Sequence, residues 1–332
     1  MRILAINNYS LEDAYKLSID KIQPSHHCWG IDYFRQSGYH VDTMQFQFRS
    51  STSLIKIIEL VWFNLKILFN IYKYDTIISF AYPLIHDIAF LKYIHFLPRR
   101  IKLYTFIHHV SPVRPLGYDK VFFLSNSIKL LSEKRFPSLV KKSVYIKWGG
   151  DAPFYSVKPK DIKRHIVMSN GKSHRDNELL LDVCKDLGLR CVVITDKITV
   201  NGNDIIMSNV KGENALSYKD MLEIVQDATI LAVPVRKEIH SGSLCGLTSF
   251  IDGCLLGCPL LLSDNTNIGV NVEEERMGYI YEAGNRESMK KQLSNLISNE
   301  NDYHIMSSNC LSYGRRYDYL AYCNKLLKEI KE

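Results

Sequence analysis

The chain has no CxxC pair, no HExxH or HxxxH histidine spacing and no GxxxxGK(S/T) loop. These gaps set aside zinc-ribbon, thioredoxin, zinc-hydrolase and Walker-type readings. Long apolar runs are missing too. Met1 leads directly into RILAIN without the h-region of a secretory signal, so the chain is expected to stay in the cytoplasm. The most apolar stretch, Leu54 to Tyr72, is broken by Lys56, Glu59 and Lys66 and does not read as a membrane span. No zinc-finger, RNA-recognition or helix-turn-helix signature is present, which places nucleic acid last among partners.

The 332 residues suffice for two full domains, and 46% hydrophobic with 23% charged residues is a globular composition. The eight cysteines lie largely within apolar runs and read as reduced, small hydrophobes. Charge is unevenly spread. Residues 1–150 hold 20 Lys and Arg against 10 Asp and Glu, whereas the remainder holds 22 against 25. A basic first half suggests an anionic partner, and contact with an anionic membrane surface is expected.

Short apolar runs alternate with longer periodic ones along the chain. RILAIN, HVDTMQF, DTIISFA, IKLYTFIHH, KVFFLS and SVYIKWGG read as strands. Between them, Cys28 to Tyr39, Leu54 to Tyr72, HDIAFLKYIHFL and NSIKLLSEKRF read as helices. The apolar face of Leu54 to Tyr72 is expected to pack on the sheet. Gly149 to Asp161, with two prolines and two glycines, reads as a linker. The alternation then restarts, ending in two helices from Glu287 onward. The fold class is therefore α/β, with two tandem Rossmann-like doubly wound domains facing across a cleft. Residues 1–150 form the first domain and 151–312 the second, and 313–332 form a C-terminal helix packing back toward the first.

In such sheets ligands bind beyond the carboxyl ends of the strands, so the strand-to-helix loops carry the chemistry. NGKSHRDN sets Gly171, Lys172 and Arg175 beside a helix N-terminus, which suits a phosphate or diphosphate; an exposed turn is the plainer reading. KEIHSGSLCGLTSFIDGCLLGCPLLLSDN, Lys237 to Asn265, offers Ser241, Gly242 and Gly246 as backbone that a ligand can approach. Leu247 and Thr248 then start a largely apolar helix whose one acid is Asp252. A buried acid needs partners, and Asp252 suits two ribose hydroxyls. Glu238 is a second carboxylate nearby, or an ordinary loop acid. PSHHCWG, which ends on Gly30, sits between the first strand and first helix, and FIHHVSP carries His108 and His109 past another strand. Hydrogen-bonding or proton-handling roles suit these histidines better than metal binding.

GLTSFIDGCLLGCPLLLSDN resembles the signature of GT-B glycosyltransferases, particularly retaining family 4 and its bacterial surface-polysaccharide relatives. KWGGDAPFY, SNGKSHRDNELLLDVC and LSYKDMLEIVQDATILAVP are similar to the family's linker turn, donor-phosphate loop and helix–strand unit. The resemblance implies a hexosyltransferase that takes a nucleotide-diphosphate sugar as co-substrate and a glycan or lipid-linked acceptor. It implies no cofactor and no metal, in keeping with the absence of a DxD motif. It places Lys172 and Arg175 on the diphosphate, joined by Gly246, Leu247 and Thr248, with Gly30 as a further phosphate contact. Asp252 falls to the ribose, and Glu238, His108 and His109 fall to the donor sugar. Glu238 and Asp252 stand fourteen positions apart, farther than in the family, so SGSLCG behaves as an insertion. A nucleotide-sugar epimerase of the same fold and a non-catalytic subunit are the competing expectations.

Overall fold

The computed structural model describes residues 1–49, 52–157, 165–171, 174–195, 205–208, 217–239 and 242–332. Two compact units emerge. The first comprises Met1–Lys21, Ser25–Trp148 and Leu320–Glu332, and the second Ile22–Pro24 and Gly149–Tyr319.

The first unit runs β1 (Arg2–Asn7), α1 (Leu11–Ile19), α2 (Ile31–Gln36), β2 (His40–Gln45), α3 (Ser53–Asn70), β3 (Thr76–Ser79), α4 (His86–Tyr93), β4 (Lys102–Ile107), β5 (Lys120–Phe123), α5 (Asn126–Arg135) and β6 (Ser143–Tyr145). Its six strands are parallel in the order β2-β1-β3-β4-β5-β6. The second unit runs β7 (Ile166–Asn170), α6 (Asn177–Asp186), β8 (Arg190–Thr195), β9 (Ile205–Ser208), α7 (Tyr218–Val225), β10 (Ile230–Val233), α8 (Leu247–Leu256), β11 (Leu260–Ser263), β12 (Gly278–Tyr281), α9 (Arg286–Ser298) and α10 (Glu300–Arg316). Its sheet is also parallel, ordered β12-β11-β10-β7-β8-β9. A final helix, α11 (Tyr319–Lys331), follows. Both units are thus doubly wound α/β sheets, as the alternation predicts.

The strands read as apolar runs because helices cover both sheet faces, leaving no wet side to demand alternation. In the second unit Val167, Val193, Ile230, Ala232 and Leu261 meet Leu180 and Val183 of α6 and Leu293 of α9 in one buried cluster. Chain order reverses between β7 and β10 in this sheet, so the loops after those two strands diverge there, beside Asn170 and Val233.

Four expectations change. The structure inserts α1 between β1 and PSHHCWG; Ser10 starts it by accepting from the Asp13 backbone N–H, with two acids in its first turn. The helix expected from Cys28 to Tyr39 is confined to Ile31–Gln36. The chain ends in three helices rather than two, because Tyr317 and Asp318 leave the helical path. Asp318 bridges Gly150, and the Tyr319 N–H donates to the Gly150 carbonyl at 2.8 Å. Finally, α3 buries only Phe63, Asn64 and Ile67, and most of its other apolar side chains stand exposed. A helix apolar on every side can rest only one stripe on a sheet.

Gly278 in β12 is paired with Leu260 of β11, and a Cβ there would lie 1.9 Å from the Leu260 carbonyl oxygen. Backbone paired in a strand ladder cannot step aside as a flexible side chain can. Gly278→Ala is therefore expected to destabilise the second unit by at least about 2 kcal/mol, roughly 4–8 °C in melting temperature. Calorimetry showing an unchanged transition would contradict this packing.

Candidate functional site

The loops beyond β7 and β10 are stitched together by backbone. The Asp176 N–H donates to the Pro234 carbonyl at 2.7 Å, the Arg236 N–H to the His174 carbonyl at 2.9 Å, and Arg175 pairs with Val235 as an isolated antiparallel bridge. The Arg236 Nε adds a bond to the Arg175 carbonyl at 3.1 Å. The carboxylate of Asp176 accepts from the Leu179 N–H and so starts α6.

This stitching turns the Arg175 side chain inward. Arg175 is buried, and its Nη2 lies 3.3 Å from the Ser249 hydroxyl in the first turn of α8. The guanidinium passes beside two glycines in left-handed conformations. A Cβ on Gly171 (φ +128°) would stand 2.8 Å from Nη2, and one on Gly246 (φ +80°) 3.3 Å from it. Gly246 has a second constraint, since its Cβ would meet Val233 Cγ1 at 2.2 Å. Both glycines are therefore required, Gly171 by φ and the guanidinium, Gly246 by φ and β10. Burial lowers the Arg175 pKa to about 10, so the group remains charged at neutral pH.

α8 begins differently from its neighbours. Side chains of Asp176, Ser217, Asn285 and Asn299 cap α6, α7, α9 and α10, whereas Gly246 leads into α8 without a side-chain cap. Its first N–H groups carry the helix's partial positive charge, and Gly246, Leu247 and Thr248 are partly exposed. A guanidinium and an uncapped helix N-terminus thus meet at the carboxyl end of the sheet. Together they can stabilise an anion.

Asp252, one turn into α8, is fully buried. Two hydroxyls do approach it, but they belong to tyrosines. Tyr155 Oη and Tyr218 Oη each donate to Oδ1 at 2.7 Å, and Asn170 Nδ2 donates to Oδ2 at 2.8 Å. The Ser249 hydroxyl donates to the Asn170 carbonyl at 2.7 Å, joining this cluster to the Arg175 loop. A carboxylate enclosed by three protein donors does not present itself to a ribose. Here it fixes Tyr155, the start of α7 and the end of β7 around α8. Burial raises the Asp252 pKa to about 6 against the lowering effect of those three donors. Tyr155 and Tyr218 are pushed well above the ordinary tyrosine value by burial and by the carboxylate.

The other predicted residues are not all brought together. Glu238 is exposed in the turn after β10, and Gly242 is partly exposed farther along the same loop. Lys172 and Ser241 lie outside the described residues. In the first unit His108 follows β4, half-buried, with Nε2 2.9 Å from the Phe80 carbonyl oxygen and its ring edge-on to Trp29 at 5.7 Å. Burial lowers its pKa. His109 beside it is exposed. Gly30, at φ +94°, leads into the six-residue α2. Trp29 stacks on Trp148 with ring centroids 5.4 Å apart, and buried His26 meets Trp148 edge-on at 5.2 Å. His26 therefore serves an aromatic core. Among the described residues no three His, Cys, Asp or Glu side chains are grouped to hold a metal ion.

No protein-family model and no curated protein sequence matches the chain. Solved structures do match over its whole length. Anabaena HepE superposes with a TM-score of 0.66 at 12% identity, covering 100% of both chains; it has been solved with UDP, with UDP and glucose, and with UDP-glucose. WaaG, a glycosyltransferase involved in lipopolysaccharide biosynthesis, matches with a TM-score of 0.68 at 12% identity over 98% of each chain. Sucrose-phosphate synthase from Thermosynechococcus elongatus reaches 0.72 at 9% identity, over 100% of this chain and 98% of its own. At these identities the likeness shows the fold, which is that of GT-B glycosyltransferases.

A carboxyl whose pKa is raised by folding holds its proton more tightly in the folded than in the unfolded chain. Its stabilising contribution is complete below about pH 4, the ordinary Asp value, and is lost as pH rises through about 6. Asp252→Asn stays neutral throughout. Relative to the parent, the variant is expected to gain about 2 kcal/mol of stability between pH 4 and pH 7.5. Urea denaturation at several pH values measures the gap; a gap that stays constant would mean Asp252 is ionised even at the acid end.

Proposed function

We propose that the chain is a glycosyltransferase that moves a hexosyl group from a nucleotide-diphosphate sugar to a glycan or lipid-linked acceptor, in bacterial surface-polysaccharide synthesis. The observation that carries this reading is the buried Arg175 guanidinium at the uncapped N-terminus of α8, held between Gly171 and Gly246. Fixed positive charge of this kind binds a diphosphate and stabilises the charge that builds on it as the glycosidic bond breaks. The groups are already oriented, so little reorganisation is needed at the moment of reaction. Lys172, next to Gly171, supplies a second cation to the same phosphates. Leu247 and Thr248 offer backbone N–H groups, and Ser241 and Gly242 serve the same donor. The UDP and UDP-glucose held by HepE fit such a donor.

The remaining roles follow the family resemblance. Glu238, His108 and His109 serve the donor sugar, Gly30 a phosphate, and transfer proceeds with retention through attack on the face the leaving group departs from. Positive groups on the phosphates make a metal unnecessary, so activity should survive chelation. The working place is the cytoplasm, at the inner face of the cell membrane, where a lipid-linked acceptor would be found.

A second reading has one observation in its favour. Asp252 is enclosed by Tyr155, Tyr218 and Asn170, its carboxylate spent on protein donors, as befits a subunit that keeps the fold without the reaction. Release of a nucleoside diphosphate separates the two. An epimerase would instead convert a nucleotide sugar without any acceptor.

Calorimetric titration with uridine, guanosine and thymidine diphosphates tests the donor site. One of the three is expected to bind, and Lys172→Glu or Arg175→Gln to weaken it roughly 10–100-fold, the usual worth of a hydrogen bond to a charged group. Circular dichroism guards against misfolding, because Arg175 is buried. If none of the three nucleotides binds the parent chain, the donor site is absent and the transferase reading falls.

A further inference from the structure

α3 presents an unusual outer surface. Its buried residues, Phe63, Asn64 and Ile67, occupy one stripe. At 100° per residue, the opposite stripe is Leu54, Ile58, Val61, Trp62, Leu65 and Phe69. All six are exposed, Leu54 by 66%, Trp62 by 61% and Phe69 by 83%, and no polar residue interrupts them. Soluble surfaces scatter apolar residues singly; a contiguous stripe of this length marks a surface meant to be covered. α4, which contacts α3, exposes Phe90 and Tyr93 as well, with Phe96 just beyond it.

Cations border this surface. Arg100 lies over the Tyr72 ring at 6.0 Å. Lys66, Lys73 and Arg99 are also exposed. Residues 49–102 hold eight Lys and Arg against three acids, of which Glu59 alone lies on α3. Basic side chains rimming a fully apolar stripe match the chemistry of an interfacial helix on an anionic bilayer. No helix among the described residues is long and apolar enough to cross a membrane, which leaves lying in the interface. A second copy docked through α3 about a two-fold axis would set this basic rim against itself. A glycan would find no polar group on the stripe to bond.

We propose that the outer face of α3, extended by α4, inserts into the headgroup boundary of an anionic phospholipid bilayer. This names the surface for the membrane contact proposed above. It rests on α3 itself and does not require the transferase reading to hold.

Co-sedimentation of the full chain with vesicles of mixed phosphatidylglycerol and phosphatidylcholine tests it. Binding is expected, weaker on pure phosphatidylcholine and at high salt. Ile58→Glu with Leu65→Glu should weaken it at least tenfold, and Lys66→Glu with Lys73→Glu should remove most of its salt dependence. Trp62 is exposed whereas Trp29 and Trp148 are buried, so a blue shift of emission on vesicle addition that Trp62→Phe abolishes locates the insertion. These positions are exposed, and nucleoside-diphosphate titration of each variant reports separately on the donor site. Vesicle binding by the Glu variants equal to the parent's, or none by the parent, overturns the proposal. So does a parent that elutes as a dimer and a Glu variant that elutes as a monomer, which would assign the face to a second copy.

Discussion

A carboxylate deep inside a protein must be met by donors or give up its charge. Asp252 meets that constraint with three donors drawn from three separate places: Tyr155 just past Gly149 and Gly150, Tyr218 at the start of α7, and Asn170 at the end of β7. The first turn of α8 is thereby tied to the strand end whose loop carries Arg175. Ser249 completes the link, donating to the Asn170 carbonyl and accepting from Arg175. The carboxyl end of the sheet in the second unit, where Arg175 meets α8, is positioned by this polar knot. A hydrophobic core around it could not by itself specify the rotation of α8.

The same knot separates two tasks that one short sequence invites Asp252 to combine. The acid organises, while the positive charge comes from the buried Arg175 guanidinium and the partly exposed N-terminus of α8. Keeping a guanidinium buried beside a helix's positive end is electrostatically uphill, and a bound anion would relieve both. Two glycines make the arrangement sterically feasible, each excluding a Cβ from the path of the side chain or of β10.

Much of this was legible in the sequence, for identifiable reasons. Parallel strands buried on both faces leave uninterrupted apolar runs, so RILAIN and PLLLSD announce themselves. The meeting of Gly171, Arg175 and Gly246 could be anticipated because all three sit in loops past the carboxyl ends of neighbouring strands. Three things could not be read. α1 carries its signal in the cap at Ser10 and two acids rather than in a strong apolar face, with only Leu11 and Ala14 buried. The partners of Asp252 lie up to 97 positions away, and nothing local distinguishes Tyr155 or Tyr218 from core tyrosines. In α3 the apolar residues occur on every side, so periodicity does not say which stripe meets the sheet.

The last helix belongs to the first unit although the second unit lies between them in the chain. There Tyr104 donates to the Ile330 carbonyl at 3.3 Å, and Lys120 Nζ holds the Glu329 carboxylate at 2.9 Å. On the ribosome, the first unit must therefore wait, its β4 and β5 partners uncovered, until some 170 further residues have been made. At about 5–20 residues per second this is an interval of roughly 10–35 seconds. During that time an exposed sheet face and the apolar α3 coexist on one nascent chain. Synthesis close to a membrane, or a chaperone held through those seconds, would spare it from self-association.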